Sequence, residues 1–239
     1  MATIAVATVL VCMSGLLNLK LDTDESIFFA DDNPNYIAEQ ALTATYGKTD
    51  NVMWVIAPDN GDVFSPRAVE LLLALTEEGW QVPYARRVDS LANYQHTVAA
   101  NDELRVANLI PGDASREVDA LAAIRDIALA EPELVYRWVS PSGHVAAVSV
   151  MLNMPEDDQI AVPEIATYAR ALTDTYRADF PDIDIYLLGS AIGDQTFDEL
   201  SIKDFFKFIP IVVAIVITLL TLTLRSSSAT LAVLVIVAT

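Results

Sequence analysis

Hydrophobic and polar positions divide the chain into three zones. Two uncharged, mostly apolar runs, Thr3 to Leu19 and Ile209 to Leu224, bracket a long polar middle. Extended back to Phe205, the second run makes about 30 Å of helix, the hydrocarbon thickness of a bilayer. Lys207 lies near its start, where it can reach outward, and Pro210 falls in its first turns, where a missing N–H does least harm. The β-branched stretch IVVAIVIT would leave its backbone unpaired as a lone strand in lipid, so a helix is predicted. The first run has 17 uncharged residues, the short edge of the spanning range. It lacks the basic start and small-residue cleavage site of a signal peptide. Arg225-Ser226-Ser227-Ser228 makes a polar hinge, and Ala229 to Thr239 is apolar again but too short to cross. The pattern predicts a transmembrane helix over 1–21, an extracytoplasmic domain over 22–204 and a second transmembrane helix over 205–224. A cytoplasmic turn over 225–228 follows, then the start of a third helix over 229–239, within which the chain is expected to stop. Arg225 puts the turn on the cytoplasmic side by the positive-inside tendency.

The middle zone alternates strand and helix signals. Asn51 to Ala57 (NVMWVIA) predicts a short strand, and Pro58 to Asp62 a turn. Ser65 caps a helix that begins at Pro66 and runs to Gly79. Residues 85–94 read as a strand or irregular edge, and ELRVANLI, residues 103–110, as a strand. Ser115 caps a second helix with an apolar stripe at Val118, Leu121, Ala122 and Ala128, which breaks near Pro132. Leu134 to Val139 and His144 to Leu152 flank Pro141-Ser142-Gly143 as the arms of a hairpin. A third helix carries Ile165, Ala169, Leu172 and Tyr176 at helical spacing. Asp182 to Leu188 alternates as a strand, and a helix from Asp194 to Phe208 leads into the membrane run. With residues 103–110 placed first, the order becomes β-α-β-β-α-β. The predicted fold class is a membrane-anchored α/β protein with a ferredoxin-like, split β-α-β domain between transmembrane helices. Its patterns are complete in themselves, so residues 22–204 are expected to fold without the apolar segments.

Charge sharpens this division. All 33 acidic residues lie between Asp22 and Asp204, against twelve basic residues between Lys48 and Lys207, a formal −21 for that block. Such a block repels nucleic acid and anionic surfaces, so no nucleic-acid partner is predicted. Candidate chemistry changes little. His96 and His144 are 48 residues apart without metal-ligand spacing. Asp31-Asp32 and Asp157-Asp158 lack a calcium-loop pattern. Cys12 is single, and Ser14 and Ser149 lack a triad order. Gly189-Ser190-Ala191-Ile192-Gly193 has no following GK[ST] to make it a phosphate cradle, and its glycines read as a bend before the last helix. Phe28, Phe29, Trp54, Trp80, Tyr84, Tyr94 and Trp138 could line an apolar path, but each reads first as a residue that fills the core. No catalytic, metal or cofactor-binding residue is assigned, no cofactor is expected, and substrate-binding residues stay unassigned.

Several segments, in order, resemble the MMPL-like and Patched-like branch of the resistance-nodulation-division (RND) exporters. They are DTDESIFFADDNP (22–34), ALTATYGKTDNVMWVIAP (41–58) and RRVDSLANYQHT (86–97), the last similar to a V-x-SL-x-N segment. ELRVANLIP (103–111), DIYLLGSAIGDQTFDELSIKDFFKFIP (184–210) and the turn Leu224-Arg225-Ser226 complete the set. The resemblance implies the N-terminal part of a proton-driven inner-membrane exporter whose porter-type domain handles hydrophobic or amphipathic, lipid-like substrates. It implies as partners the bilayer, further transmembrane helices and a second porter domain, and it admits a homo-oligomer. Proton-coupling acids are expected in later helices, since the apolar runs here contain no Asp or Glu. The alternative is an anchored extracytoplasmic interaction or sensor domain without transport.

In cells producing the chain with Cys12 replaced by serine, a membrane-impermeant thiol reagent should label a cysteine at Asp113 and not one at Ser227. Strong labelling of both from outside overturns the topology.

Overall fold

The computed structural model describes residues 29–30, 32–46, 50–100, 103–112, 118–155, 158–226, 228–230 and 232–233. The first apolar run, Cys12, Ser14, Phe28, Asp31, Ser115, Asp157 and most of 229–239 lie outside these residues. Two compact units emerge, Asp32–Thr196 and a second that includes Phe197–Thr239.

The first unit is a mixed α/β domain. Its elements in chain order are α1 (Pro34–Tyr46), β1 (Asn51–Pro58), α2 (Pro66–Glu78), β2 (Ala85–Ser90), β3 (Gln95–Ala100) and β4 (Glu103–Asn108), followed by α3 (Val118–Ala130), β5 (Ala146–Leu152), α4 (Asp158–Asp179) and β6 (Ile183–Leu188). The main sheet has the order β2-β5-β1-β6, and every neighbouring pair is antiparallel. β1 and β2 therefore run the same way with β5 between them, and β5 and β6 run the same way with β1 between them. β3 and β4 form a separate two-stranded ribbon.

That pairing corrects the expected place of residues 103–110. They do not open the main sheet; β1 takes that role, because only its alternation puts Val52, Trp54 and Ile56 on a fully buried face. Along the β3–β4 ribbon Val98, Ala99, Leu104, Val106 and Ala107 are exposed, so among its described residues no apolar side chain faces the core. The hairpin expected at 134–152 is also corrected. Only its second arm is a strand; Val135 and Val139 make isolated bridges within tight turns, with Tyr136 at a φ of 67°.

The Ser65 cap and the α4 stripe stand as predicted, and the end of α2 and the stripe of α3 change. Ser65 accepts from the Ala68 N–H at 3.4 Å and Pro66 opens α2, as its sequence requires. Gly79 does not end the chain's winding: a 3-10 turn, Gly79–Gln81, continues it. A Cβ at Gly79 would lie 3.1 Å from a Val150 methyl, so the glycine lets α2 end close against the sheet. In α3 the buried stripe is Leu121, Ile124 and Ala128, while Ala122 is exposed. Steps of three and four stay on one side of a helix, and Ala122, next to Leu121, turns away. In α4 Ile165 and Ala169 are fully buried, and Leu172 and Tyr176 pack against the core.

One buried polar contact joins sheet to helix. The Trp54 indole N–H donates to Thr173 Oγ1 at 2.8 Å, and that hydroxyl donates to the Ala169 carbonyl at 2.6 Å. Both groups are thereby satisfied inside an apolar core. Among the described residues no Asp or Glu is fully buried, so the acidic excess lies on the surface, where it favours solubility.

The helix α5 (Ser190–Leu224) starts in the first unit and crosses the division between the two. It begins four residues earlier than its expected start at Asp194, which places Gly193 inside it and Pro210 well beyond its first turn. It is the one described helix long and apolar enough to cross a membrane. From Phe205 to Leu219 its side chains are exposed. Thr218, Thr221 and Thr223 donate to the carbonyls of Ala214, Ile217 and Leu219 at 2.7–2.8 Å. The hydroxyls in the apolar run are thus bonded within the helix, the condition for immersion in lipid.

Ile165→Asp places a charge at a position with no solvent exposure and should cost roughly 4 kcal/mol or more. The thermal midpoint of the full chain should fall by many degrees; an unchanged midpoint would refute the assigned helix face.

Candidate functional site

The first unit gives up its chain to α5 at Gly189, and chemistry gathers there. Gly189 has a φ of 116°, and a Cβ on it would lie 2.3 Å from the Asn51 carbonyl oxygen. The bend expected from the GSAIG glycines is therefore made by Gly189 alone. The Ser190 hydroxyl donates to Asp50 Oδ1 at 3.0 Å and accepts from the Asn51 N–H at 3.0 Å. The Ser190 N–H donates to Asn51 Oδ1 at 3.1 Å. Behind this junction Ala191 and Ile192 are buried in the core. The sequence pointed to the glycine; nothing in it pointed to Asp50 and Asn51, which lie about 140 residues away.

A second cluster explains the V-x-SL-x-N segment. Val88, Ser90 and Leu91 are buried. The half-buried Asn93 closes the turn after β2: its Oδ1 accepts from the Ser90 N–H at 2.8 Å, and its Nδ2 donates to the Val88 carbonyl at 2.7 Å. The Thr76 hydroxyl donates to Ser90 Oγ at 2.8 Å, tying the turn to α2. Each member of the segment is occupied in folding, so it is a structural signature. At Tyr94 burial, followed by the charges of Glu131 and Glu133, raises the phenol above its usual 10.0.

The other described candidates lie in the ribbon, in turns, in the core or at the surface. His96 lies in the β3–β4 ribbon opposite Ala107. His144 is exposed beside Gly61, its backbone N–H bonded to Ser140 Oγ. Ser149 is buried in β5. Trp54 belongs to the core, and Tyr94 and Trp138 pack against it. Trp80, Tyr84 and Phe29 are exposed. The Tyr84 hydroxyl lies 3.4 Å from Glu164 Oε2. Among the described residues no group of three His, Cys, Asp or Glu side chains could hold a metal ion.

An antiparallel α/β unit whose last strand turns directly into a helix apolar enough to span a bilayer defines a membrane-associated module. A model of the MMPL family matches residues 72–239, more than two thirds of the chain, and the chain belongs to that family. The match takes in the SL-x-N turn, the Gly189 junction and α5; the similar segments at 22–34 and 41–58 precede it. No curated protein matches the chain. Membership associates the chain with membrane transporters.

Asn93→Ala removes the acceptor and donor that close the β2 turn and should cost about 2 kcal/mol. Thermal melting should record the loss; wild-type stability would show that the segment is not held as a structural turn.

Proposed function

We infer that the chain is the N-terminal part of a proton-driven exporter of hydrophobic or amphipathic substrates. Residues 22–204 form its extracytoplasmic porter-type domain, 1–21 and 205–224 its first two membrane helices, 225–228 a cytoplasmic turn and 229–239 the start of a third helix. The reading is carried by the MMPL match, which runs from residue 72, inside the first unit, through the membrane-spanning helix. The domain is ferredoxin-like in this reading. Support comes from the order β2-β5-β1-β6, with β1-α2-β2 and β5-α4-β6 each split by one antiparallel strand. The β3–β4 ribbon and α3 are then insertions between its halves.

Neither apolar run contains an Asp or Glu. A proton relay across lipid needs an ionisable group inside the membrane, so coupling is assigned to later helices of the full-length protein. Those helices and a second porter domain are this chain's partners in the inner membrane.

The test uses the full-length gene product. The reading frame should continue after Thr239 into further membrane helices, one carrying an Asp or Glu. Neutralising that residue should abolish proton-driven efflux of an amphipathic fluorescent dye while the dye still binds residues 22–204. A frame that turns directly into a cytoplasmic signalling domain would overturn the exporter reading in favour of an anchored sensor.

A further inference from the structure

We propose that Asp50, Asn51 and Ser190 form a clamp that locks the first turn of α5 onto the central strand β1. Force between sheet and helix then passes through β1 as well as through the β6–α5 peptide link. The mechanical role rests on the exporter reading; the clamp rests on its geometry alone.

The β1–β6 ladder pairs Trp54 with Leu187 and Met53 with Leu188. Carried two residues further, the same register sets Asn51 opposite Ser190. At that position the chain has turned into a helix, and its carbonyl points along the helix axis to close the first turns. The Ser190 hydroxyl takes the carbonyl's place and accepts from the Asn51 N–H. The ladder is thus extended by one side-chain bond into the first residue of α5.

The helix end is treated in a matching way. The residue before a helix normally caps it with a side-chain oxygen. Here that residue is Gly189, which has no side chain and can have none, because a Cβ would meet the Asn51 carbonyl. Asn51 Oδ1 supplies a cap from another element by accepting from the Ser190 N–H. Asp50 completes the set: its carboxylate accepts from the Ser190 hydroxyl and places negative charge at the positive end of the helix dipole. Backbone closeness at Gly189 and bond exchange at Ser190 depend on each other. A larger residue at 189 would push the helix from Asn51, and loss of the hydroxyl would leave the Asn51 N–H to water.

The rival account is that the burial of Ala191 and Ile192 alone seats the helix. Spin labels separate the two. With Cys12→Ser as background, cysteines at Gly193, where a Cβ meets open space, and at Glu77, exposed on α2, both report on the first unit. Pulsed dipolar spectroscopy on the membrane-reconstituted chain should give one narrow distance distribution. Asn51→Ala and Ser190→Ala should each broaden it, and Ser190→Thr, which keeps the hydroxyl, should restore it. An unbroadened distribution in the Asn51→Ala, Ser190→Ala double variant overturns the clamp. Should the double variant fail to fold, amide exchange decides the matter in Ser190→Ala. Exchange at residues 190–193 should rise about ten-fold while α4 is unchanged; equal protection again overturns the clamp. No readout involves transport, so failure of the exporter reading leaves the result interpretable.

Discussion

The first unit depends on β1 being bonded on both edges and buried on one face. β5 and β6 take its two edges, and Val52, Trp54 and Ile56 on its inner face have no solvent exposure. A strand so placed cannot slip by one residue, because a slip would turn its inner side chains outward. The Trp54–Thr173 bond adds direction to that burial, since the indole must meet one hydroxyl on α4. The first residue of β1 also receives Ser190, so the strand that organises the core is the one against which the membrane-spanning helix begins.

α5 solves two solvation problems with one backbone. Its first residues are held by the sheet and by buried Ala191 and Ile192; its apolar stretch presents bare side chains and internally bonded threonines. A lipid environment tolerates the second part only because no hydroxyl is left seeking a partner. Lys207, near the start of the apolar stretch, stands with its ammonium 5.4 Å from the Phe208 ring centroid, an arrangement suited to an interface that is wet on one side and greasy on the other.

The family resemblance and the physical reading meet on different ground. Ser90, Leu91 and Asn93 supported the resemblance, and they turn out to hold a turn together. Such segments identify a family through the fold they specify, while the activity lives in sites placed upon that fold. The described aromatic side chains show the same separation: Trp54, Tyr94 and Trp138 serve the core or its margin, and Trp80, Tyr84 and Phe29 are exposed.

The sequence by itself determined the features that depend on local period and composition. The membrane-spanning run, the α2 cap at Ser65, the strand from Asn51 and the α4 stripe all follow from spacing between near neighbours. The apolar ends and acidic centre set where each part is solvated. Tertiary structure decided what distant segments do to each other. ELRVAN has the alternation of a strand wherever it pairs, and the structure pairs it with β3 in a separate ribbon. Leu134 to Val139 is apolar enough for a strand but folds back on itself, the Trp138 and Val139 N–H groups donating to the Leu134 carbonyl. Gly189 announced a bend, yet its need to be glycine comes from a carbonyl at Asn51. Ser190 gains its role because the β1–β6 register carries Asn51 to it across more than a hundred residues, and no periodicity along the chain records a pairing of that kind.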